Sequence, residues 1–227
     1  GTPLDRMSLR LASTLPMKKT PTVKPGNATA HKVRIIGGQW KRTPLPVPDA
    51  LGLRPTPDRV RETVFNWLNH LFDGRWEDIA CLDLFAGSGA LGFEASSRGA
   101  ARVTLVENNP AAARQLQANA EKLHASNVNV VRGDALAVMQ KISPSSMPGL
   151  RLIFADPPYH QDWLPKILPL CQGLLPNDGF LYVEAETPLD EKNAPQWFDG
   201  WEIVRADKAG MVHFHLLRCK RVLKIEA

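Results

Sequence analysis

Four consecutive residues, Asp156-Pro157-Pro158-Tyr159, carry the groups best suited to hold a flat nitrogenous ligand. Neither proline has a backbone N–H to give, so the run offers a carboxylate, bare carbonyls and one aromatic ring. Such a set accepts hydrogen bonds and stacks. It suits a planar group that presents N–H donors, such as the exocyclic amine of a nucleobase. The plainer reading is that an X-Pro-Pro-aromatic run ends a strand and turns the chain. The apolar segment Leu150 to Ala155 comes directly before it and predicts a buried strand that would deliver Asp156 at its end.

A second constellation surrounds a glycine pattern. Gly87, Gly89 and Gly92 spell G-x-G-x-x-G after the apolar segment Ile79 to Phe85, and Glu107 follows about twenty residues on. By spacing alone this is the fingerprint of a nicotinamide dinucleotide site. Its physical content is narrower: a tight turn brings backbone close to a nucleoside, and an acid at the end of the next strand accepts ribose hydroxyls. S-adenosylmethionine (SAM) needs both features as well. Asp83, in the strand before the glycine loop, suits the cationic methionine part of SAM and would repel a pyrophosphate. Asp134, at the end of a third strand, is placed to accept from an adenine amine. Glu107 and Asp134 could equally finish strands and cap helices.

These residues need a frame. The pattern predicts strands at Ile79 to Phe85, Val103 to Glu107, Val128 to Val131, Leu150 to Ala155 and Phe180 to Glu184, with helices starting near Gly87, at Asn109-Pro110 and at Asp134. Strand–helix alternation of this kind argues for a parallel sheet covered on both faces. Trp201 to Arg205 and Val212 to Arg218 are separated by only a few residues including Gly210, so they must pair antiparallel. A seven-stranded, mostly parallel α/β sheet ending in an antiparallel hairpin is the Rossmann-like sheet of SAM-dependent methyltransferases. Upstream, Val33 to Val47 reads as short strands and turns around Gly37-Gly38, a small basic β extension. Thr56 is expected to cap a helix that starts at Pro57 and buries Val60, Val64, Leu68 and Leu71, with Arg59 and Arg61 off that stripe, facing solvent or ligand.

Residues 31–61 carry seven Lys or Arg against Asp49 and Asp58, while the rest of the chain is close to balanced. A basic segment beside a near-neutral domain is the footprint of a polyanionic partner. Within it Lys32, Arg34, Lys41, Arg42, Arg59 and Arg61 are candidates for phosphate contacts, and Trp40 for stacking. Residues 1–30 hold too little apolar side chain to order themselves and read as a disordered tail or leader, followed by the extension at 31–53 and the main domain at 54–227. The 227-residue length allows one core plus a small appendage. No apolar run approaches the roughly 20 residues that cross a bilayer. Cys81, Cys171 and Cys219 lack metal-ligand spacing and are expected as free thiols of a cytoplasmic protein. His213 and His215 share a strand face without a third ligand, so no metal is expected. His160 reads as a solvent-facing loop residue, and the tryptophans other than Trp40 as core or edge packing.

Together, Leu82-Asp83-Leu84-Phe85-Ala86-Gly87-Ser88-Gly89, Glu107-Asn108 and Asp156-Pro157-Pro158-Tyr159 resemble the motif series of amino-group nucleic-acid methyltransferases. With Arg34-Ile35-Ile36-Gly37-Gly38 and the run Arg54 to Leu68, the chain resembles the bacterial 16S ribosomal RNA guanine-N2 methyltransferase family, RsmD, over about residues 33–220. That resemblance implies SAM as cofactor, held by Arg54, Thr56, Asp83, Phe85, Gly87, Gly89, Glu107, Asn108, Asp134 and Ala135. It implies Asp156, Pro157, Pro158 and Tyr159 as the catalytic run, and 16S rRNA, possibly within the assembling small subunit, as partner of a monomeric enzyme. An adenine-N6 methyltransferase using the same machinery and a nicotinamide-dependent oxidoreductase are the competing expectations.

Overall fold

Two strands come first, kept short because Pro44 and Pro46 leave no room for a longer ladder. β1 (Lys32–Arg34) and β2 (Pro44–Pro46) pair antiparallel with Val33 opposite Leu45. The computed structural model describes residues 32–48, 56–192 and 195–220; Arg54, Asp49 and the expected tail at 1–30 lie outside the described residues. Helix α1 (Asp58–Leu71) follows, with Val60, Val64 and Leu68 buried as its periodicity predicts. Its cap differs from expectation. Pro57 is the N-cap and no side chain caps it, because the Thr56 hydroxyl is drawn instead to Glu184, 3.3 Å away.

The main sheet contains β3 (Ala80–Asp83), β4 (Arg102–Glu107), β5 (Val128–Arg132), β6 (Leu150–Ala155), β7 (Phe180–Ala185), β8 (Trp201–Ala209) and β9 (Val212–Cys219). Their spatial order is β5-β4-β3-β6-β7-β9-β8. The first four pairings are parallel and the last two antiparallel. A two-residue turn, Gly210-Met211, joins the final hairpin, with Gly210 at φ +58° where an L side chain is strained. Between strands run α2 (Ala90–Ser97), α3 (Pro110–Lys122), α4 (Ala135–Lys141) and α5 (Trp163–Leu174). Sequence periodicity does not reveal α5, since Pro165 and Pro169 both fall within it and Pro169 removes an interior hydrogen bond.

Successive strand residues point to opposite faces, and the core divides accordingly. Cys81, Val103, Leu105, Leu152 and Phe154 pack with α1, α2 and α3; Leu82, Val106, Ile153 and Ala155 pack with α4 and α5. The chain leaves β3 toward β4 on one side and returns at β6 on the other. That reversal opens a crevice at the carboxyl ends of the strands, where open α/β sheets bind ligands.

Candidate active site

A cavity of about 790 Å³ occupies that crevice. Its walls come from the ends of β3, β4, β5, β6 and β7 and from the loops that follow them. Asp83 and Tyr159 line the same space, as do Asp156, Pro157 and Pro158. The glycine loop and the Asp-Pro-Pro-Tyr run therefore face one another across a single opening.

Asp83 ends β3 and is buried, with its carboxylate near the backbone N–H groups of Phe85 and Gly92. Its Oδ1 nevertheless has no hydrogen-bond partner. Burial raises its pKa to about 7 despite those two N–H groups, and the negative charges of Glu107 and Glu184 add to the rise. A buried carboxylate oxygen without a partner, on a residue that lines a cavity, suits a cation or an N–H donor. Glu107 ends β4, where burial raises its pKa while the N–H groups of Asn109, Gly87 and Asn108 hold it down. Those contacts join the acid to the glycine loop, in which Gly87 has φ +54°. Asp134 caps α4 by accepting from the Ala137 N–H at 3.0 Å, and it also lines the cavity. The capping reading of Asp134 is therefore met, and the residue also faces the space in which an adenine amine is expected. Phe85 meets Trp163 edge to face with ring centroids 5.2 Å apart, giving the opening an apolar wall. Trp163 departs from the expectation of simple packing.

Gly89, an expected cofactor residue, and Gly92, the last glycine of the pattern, both sit at close packing contacts. Gly89 does not line the cavity; it caps α2 at φ +80°, and a Cβ there would fall 2.5 Å from Phe93 and 2.7 Å from Leu116. Gly92 lets α2 lie on the sheet, since a Cβ would stand 2.1 Å from a Leu105 methyl. In this chain the second and third glycines of the fingerprint serve turn geometry and packing.

Asp156 follows β6 and shares the crevice floor with Glu184 of β7. Its pKa is pushed well above the usual carboxylate range by burial, by the charge of Glu184 and its hydrogen bond, and by Asp83. Glu184 is a cavity-lining acid that the sequence reading missed. Its signal was an acid in an otherwise apolar strand, Phe180 to Ala185, at the same sheet edge as Asp83, Glu107 and Asp156. The lining holds five carboxylates, Asp83, Glu107, Asp134, Asp156 and Glu184, and among the described residues no Lys, Arg or His. Five acids along one rim favour a ligand with a sulfonium and an ammonium over one with a pyrophosphate.

Comparison with known proteins agrees. The model of the family described as "Conserved hypothetical protein 95" matches residues 33–218. The protein named "Ribosomal RNA small subunit methyltransferase D" from Escherichia coli K12 is 42% identical over 196 residues, covering 85% of this chain and 93% of the relative. Its namesake from Haemophilus influenzae is 38% identical over 191 residues, covering 82% and 93%. Among solved structures, Escherichia coli yhhF superposes with a TM-score of 0.70 at 39% identity, covering 84% of this chain and 99% of that one. The chain belongs to the RsmD family.

In this RsmD family member the basic extension is fastened to the main domain. Glu94 of α2 is fully buried and accepts from the N–H groups of Ile36 and Gly37, each at 2.9 Å. Arg61, expected at the surface, is 1% exposed. It donates to the Arg34 carbonyl at 2.9 Å and to Asp58, and it stands 3.7 Å from Glu94. Helix periodicity misled here because the partners of Arg61 come from α2 and β1, far away in sequence. Arg61 is therefore removed from the candidate phosphate contacts. Lys32, Arg34, Lys41, Arg42 and Arg59 are exposed, whereas Trp40 is half-buried against the core and anchored by Ser97. His215 is buried with both ring nitrogens engaged, by the Val183 carbonyl and the Leu189 N–H, and no metal-binding cluster occurs among the described residues. The three cysteines are free. Among the described residues no helix is long and apolar enough to cross a membrane.

Proposed function

We propose that this RsmD family member transfers a methyl group from SAM to the exocyclic N2 of a guanine in small-subunit ribosomal RNA. The observation that carries this reading is the continuity of an acid-only cofactor pocket with the Asp156-Pro157-Pro158-Tyr159 run in one cavity. The names of the relatives at 42% and 38% identity support the class of acceptor.

SAM, when bound, supplies an electrophilic methyl group on a sulfonium. Asp83 offers its open Oδ1 to the cationic methionine part, Glu107 to the ribose hydroxyls and Asp134 to the adenine amine, against the wall of Phe85 and Trp163. The guanine amine is a poor nucleophile because its lone pair is delocalised into the ring. Asp156 and the Pro157 carbonyl accept its two N–H bonds and turn that lone pair toward the methyl. Positioning supplies most of the acceleration, and fixed acceptors stabilise the positive charge that grows on nitrogen. Tyr159 stacks on the base, an interaction worth about 1–3 kcal/mol in nucleic-acid binders. Asp156 can also accept from guanine N1–H, which adenine lacks.

The deciding experiment is tritium transfer from labelled SAM to naked rRNA, assembled small subunits and DNA, followed by nucleoside analysis. N2-methylguanosine in rRNA is expected. N6-methyladenine would redirect the assignment, and binding of NAD in place of SAM would overturn it.

Two further results are expected. Ligand-free protein holds a proton on Asp83 below its pKa of about 7, and a cationic ligand binds the ionised form. SAM affinity should therefore fall about tenfold per pH unit below that point and level off above it, and Asp83→Asn should abolish the dependence. Equilibrium dialysis across the range measures this. The same shift makes a folding contribution that is fully present below the unfolded Asp pKa of about 4 and is lost as pH rises through about 7. Charge reversal at Lys41, Arg42 or Arg59 should weaken RNA binding and reduce the slope of log affinity against log salt by about 0.7–0.9 for each phosphate no longer neutralised. Unchanged slopes in a titration series would mark these cations as ordinary surface charges.

A further inference from the structure

We propose that Glu184 is the positioning residue for the acceptor amine, holding Asp156 through one proton shared between the two carboxyls. The inference rests on the methyl-transfer reading above. β6 and β7 are parallel neighbours with Ala155 opposite Val183, and the next step along each strand brings Asp156 and Glu184 together at the rim. Both side chains line the same cavity, and the charge and hydrogen bonding of Glu184 help push the Asp156 pKa up. Glu184 is itself held in place: its Oε1 accepts from the Tyr182 hydroxyl at 2.6 Å and from the Thr56 hydroxyl at 3.3 Å. Tyr182 is fully buried, and Glu184 and Thr56 are nearly so. Two hydroxyls, one from its own strand and one from the segment ahead of α1, thus fix the Glu184 carboxylate beside Asp156.

Two neighbouring carboxyls that meet no cation among the described residues do not both ionise; one proton stays between them. The other groups facing the pair are Asp83 from β3, Tyr182 from β7, Tyr159 beyond β6 and the Thr56 hydroxyl ahead of α1. Across the sheet, Phe214 of β9 stands opposite Glu184 and carries no charge. Among the described residues no Lys, Arg or His lines the cavity that holds the pair. The consequence is directional. With one Asp156 oxygen engaged toward Glu184, the other is fixed as an acceptor toward the incoming amine. An isolated carboxylate would rotate between these roles.

Glu184→Gln imitates the singly protonated pair. Its amide oxygen accepts from Tyr182 and Thr56, and its N–H donates to an ionised Asp156. Because that donor does not titrate, the alkaline limb that the wild-type kcat–pH profile should show as the shared proton is lost is expected to move up by about one pH unit or more, or to vanish, in Glu184→Gln. Glu184→Ala removes the restraint and should lower kcat by about 10²-fold while changing the KM for SAM far less. Gln should restore turnover that Ala removes. The full chain, labelled SAM and the accepted rRNA substrate serve for all three proteins. Coincident alkaline limbs for wild type and Glu184→Gln would overturn the proposal, as would wild-type kcat in Glu184→Ala. Should the alanine protein fail to fold, the glutamine profile alone decides. A wild-type protein that transfers no methyl to RNA would overturn the reading on which this rests, whereas an active wild type with coincident limbs would overturn only the role of Glu184.

Discussion

Asp156→Ala should abolish methyl transfer, with a loss of about 10²–10⁴ in kcat, while SAM binding stays within a few-fold of wild type. The separation follows from geometry. The cofactor half of the cavity is built from Asp83, Phe85, Glu107 and Asp134 at the ends of β3, β4 and β5. Asp156 stands beyond β6, at the acceptor side. Its removal leaves Glu184 held by the Tyr182 and Thr56 hydroxyls. Asp156→Asn keeps one acceptor oxygen and should lose less than Ala. Retained turnover in the alanine protein would refute the assignment of the amine cradle. A large loss of SAM affinity would mean that the cofactor reaches further along the rim than the acid pattern indicates. Single-turnover transfer and isothermal titration on the same preparation give both numbers.

Glu94→Ala should be the most destabilising substitution in the molecule away from the apolar core. The carboxylate is fully buried and serves the N–H groups of Ile36 and Gly37 and the Arg98 Nε, all at 2.9 Å, with Arg61 at 3.7 Å. Deleting one partner of a buried charged network costs about 3–5 kcal/mol, because the remaining charge is left without compensation. For a chain of this size each kcal/mol moves Tm by roughly 2–4 °C. A fall on the order of 10 °C is expected, accompanied by new protease cleavage within residues 32–48. The close approach beside it leaves no alternative seat: Gly38 lies so near α2 that a Cβ would stand 2.0 Å from the Ser97 carbonyl oxygen. A change below about 2 °C, with the extension still protected, would mean that β1 and β2 hold on through Ile35 and Leu45 alone.

Features with a short-range signal were legible in the sequence. Leu150–Ala155 folds as the strand its apolar run predicts, Asn109 caps α3 through the Ala111 and Ala112 N–H groups, and the Gly210 turn forces β8 and β9 antiparallel. The alignment of acids at strand ends was legible as well, since the strand–loop boundaries locate Asp83, Glu107, Asp134 and Asp156 without any knowledge of packing. Features that depend on distant partners were not. Arg61 looks like a surface cation until Glu94 and the Arg34 carbonyl arrive from α2 and β1. Thr56 looks like a helix cap until β7 offers it a carboxylate. Glu184 is one letter in an apolar strand, and only the pairing of β6 with β7 gives it a neighbour. Helix α5 was hidden by its two prolines, whose cost is offset by burial of Ile167, Leu168, Cys171 and Leu174.

The order in which the chain is made bears on the docked extension. Residues 32–48 are translated before the groups that hold them: Glu94 lies 58 residues beyond Ile36, and Asn119, which donates to the Pro46 carbonyl, lies 73 beyond it. At roughly 5–20 residues per second, the second anchor follows several seconds later. Two three-residue strands are not stable alone, so during that interval a cationic stretch remains unfolded beside the ribosome producing it. Nascent chains of this protein should therefore acquire their basic face late, after α3 has emerged.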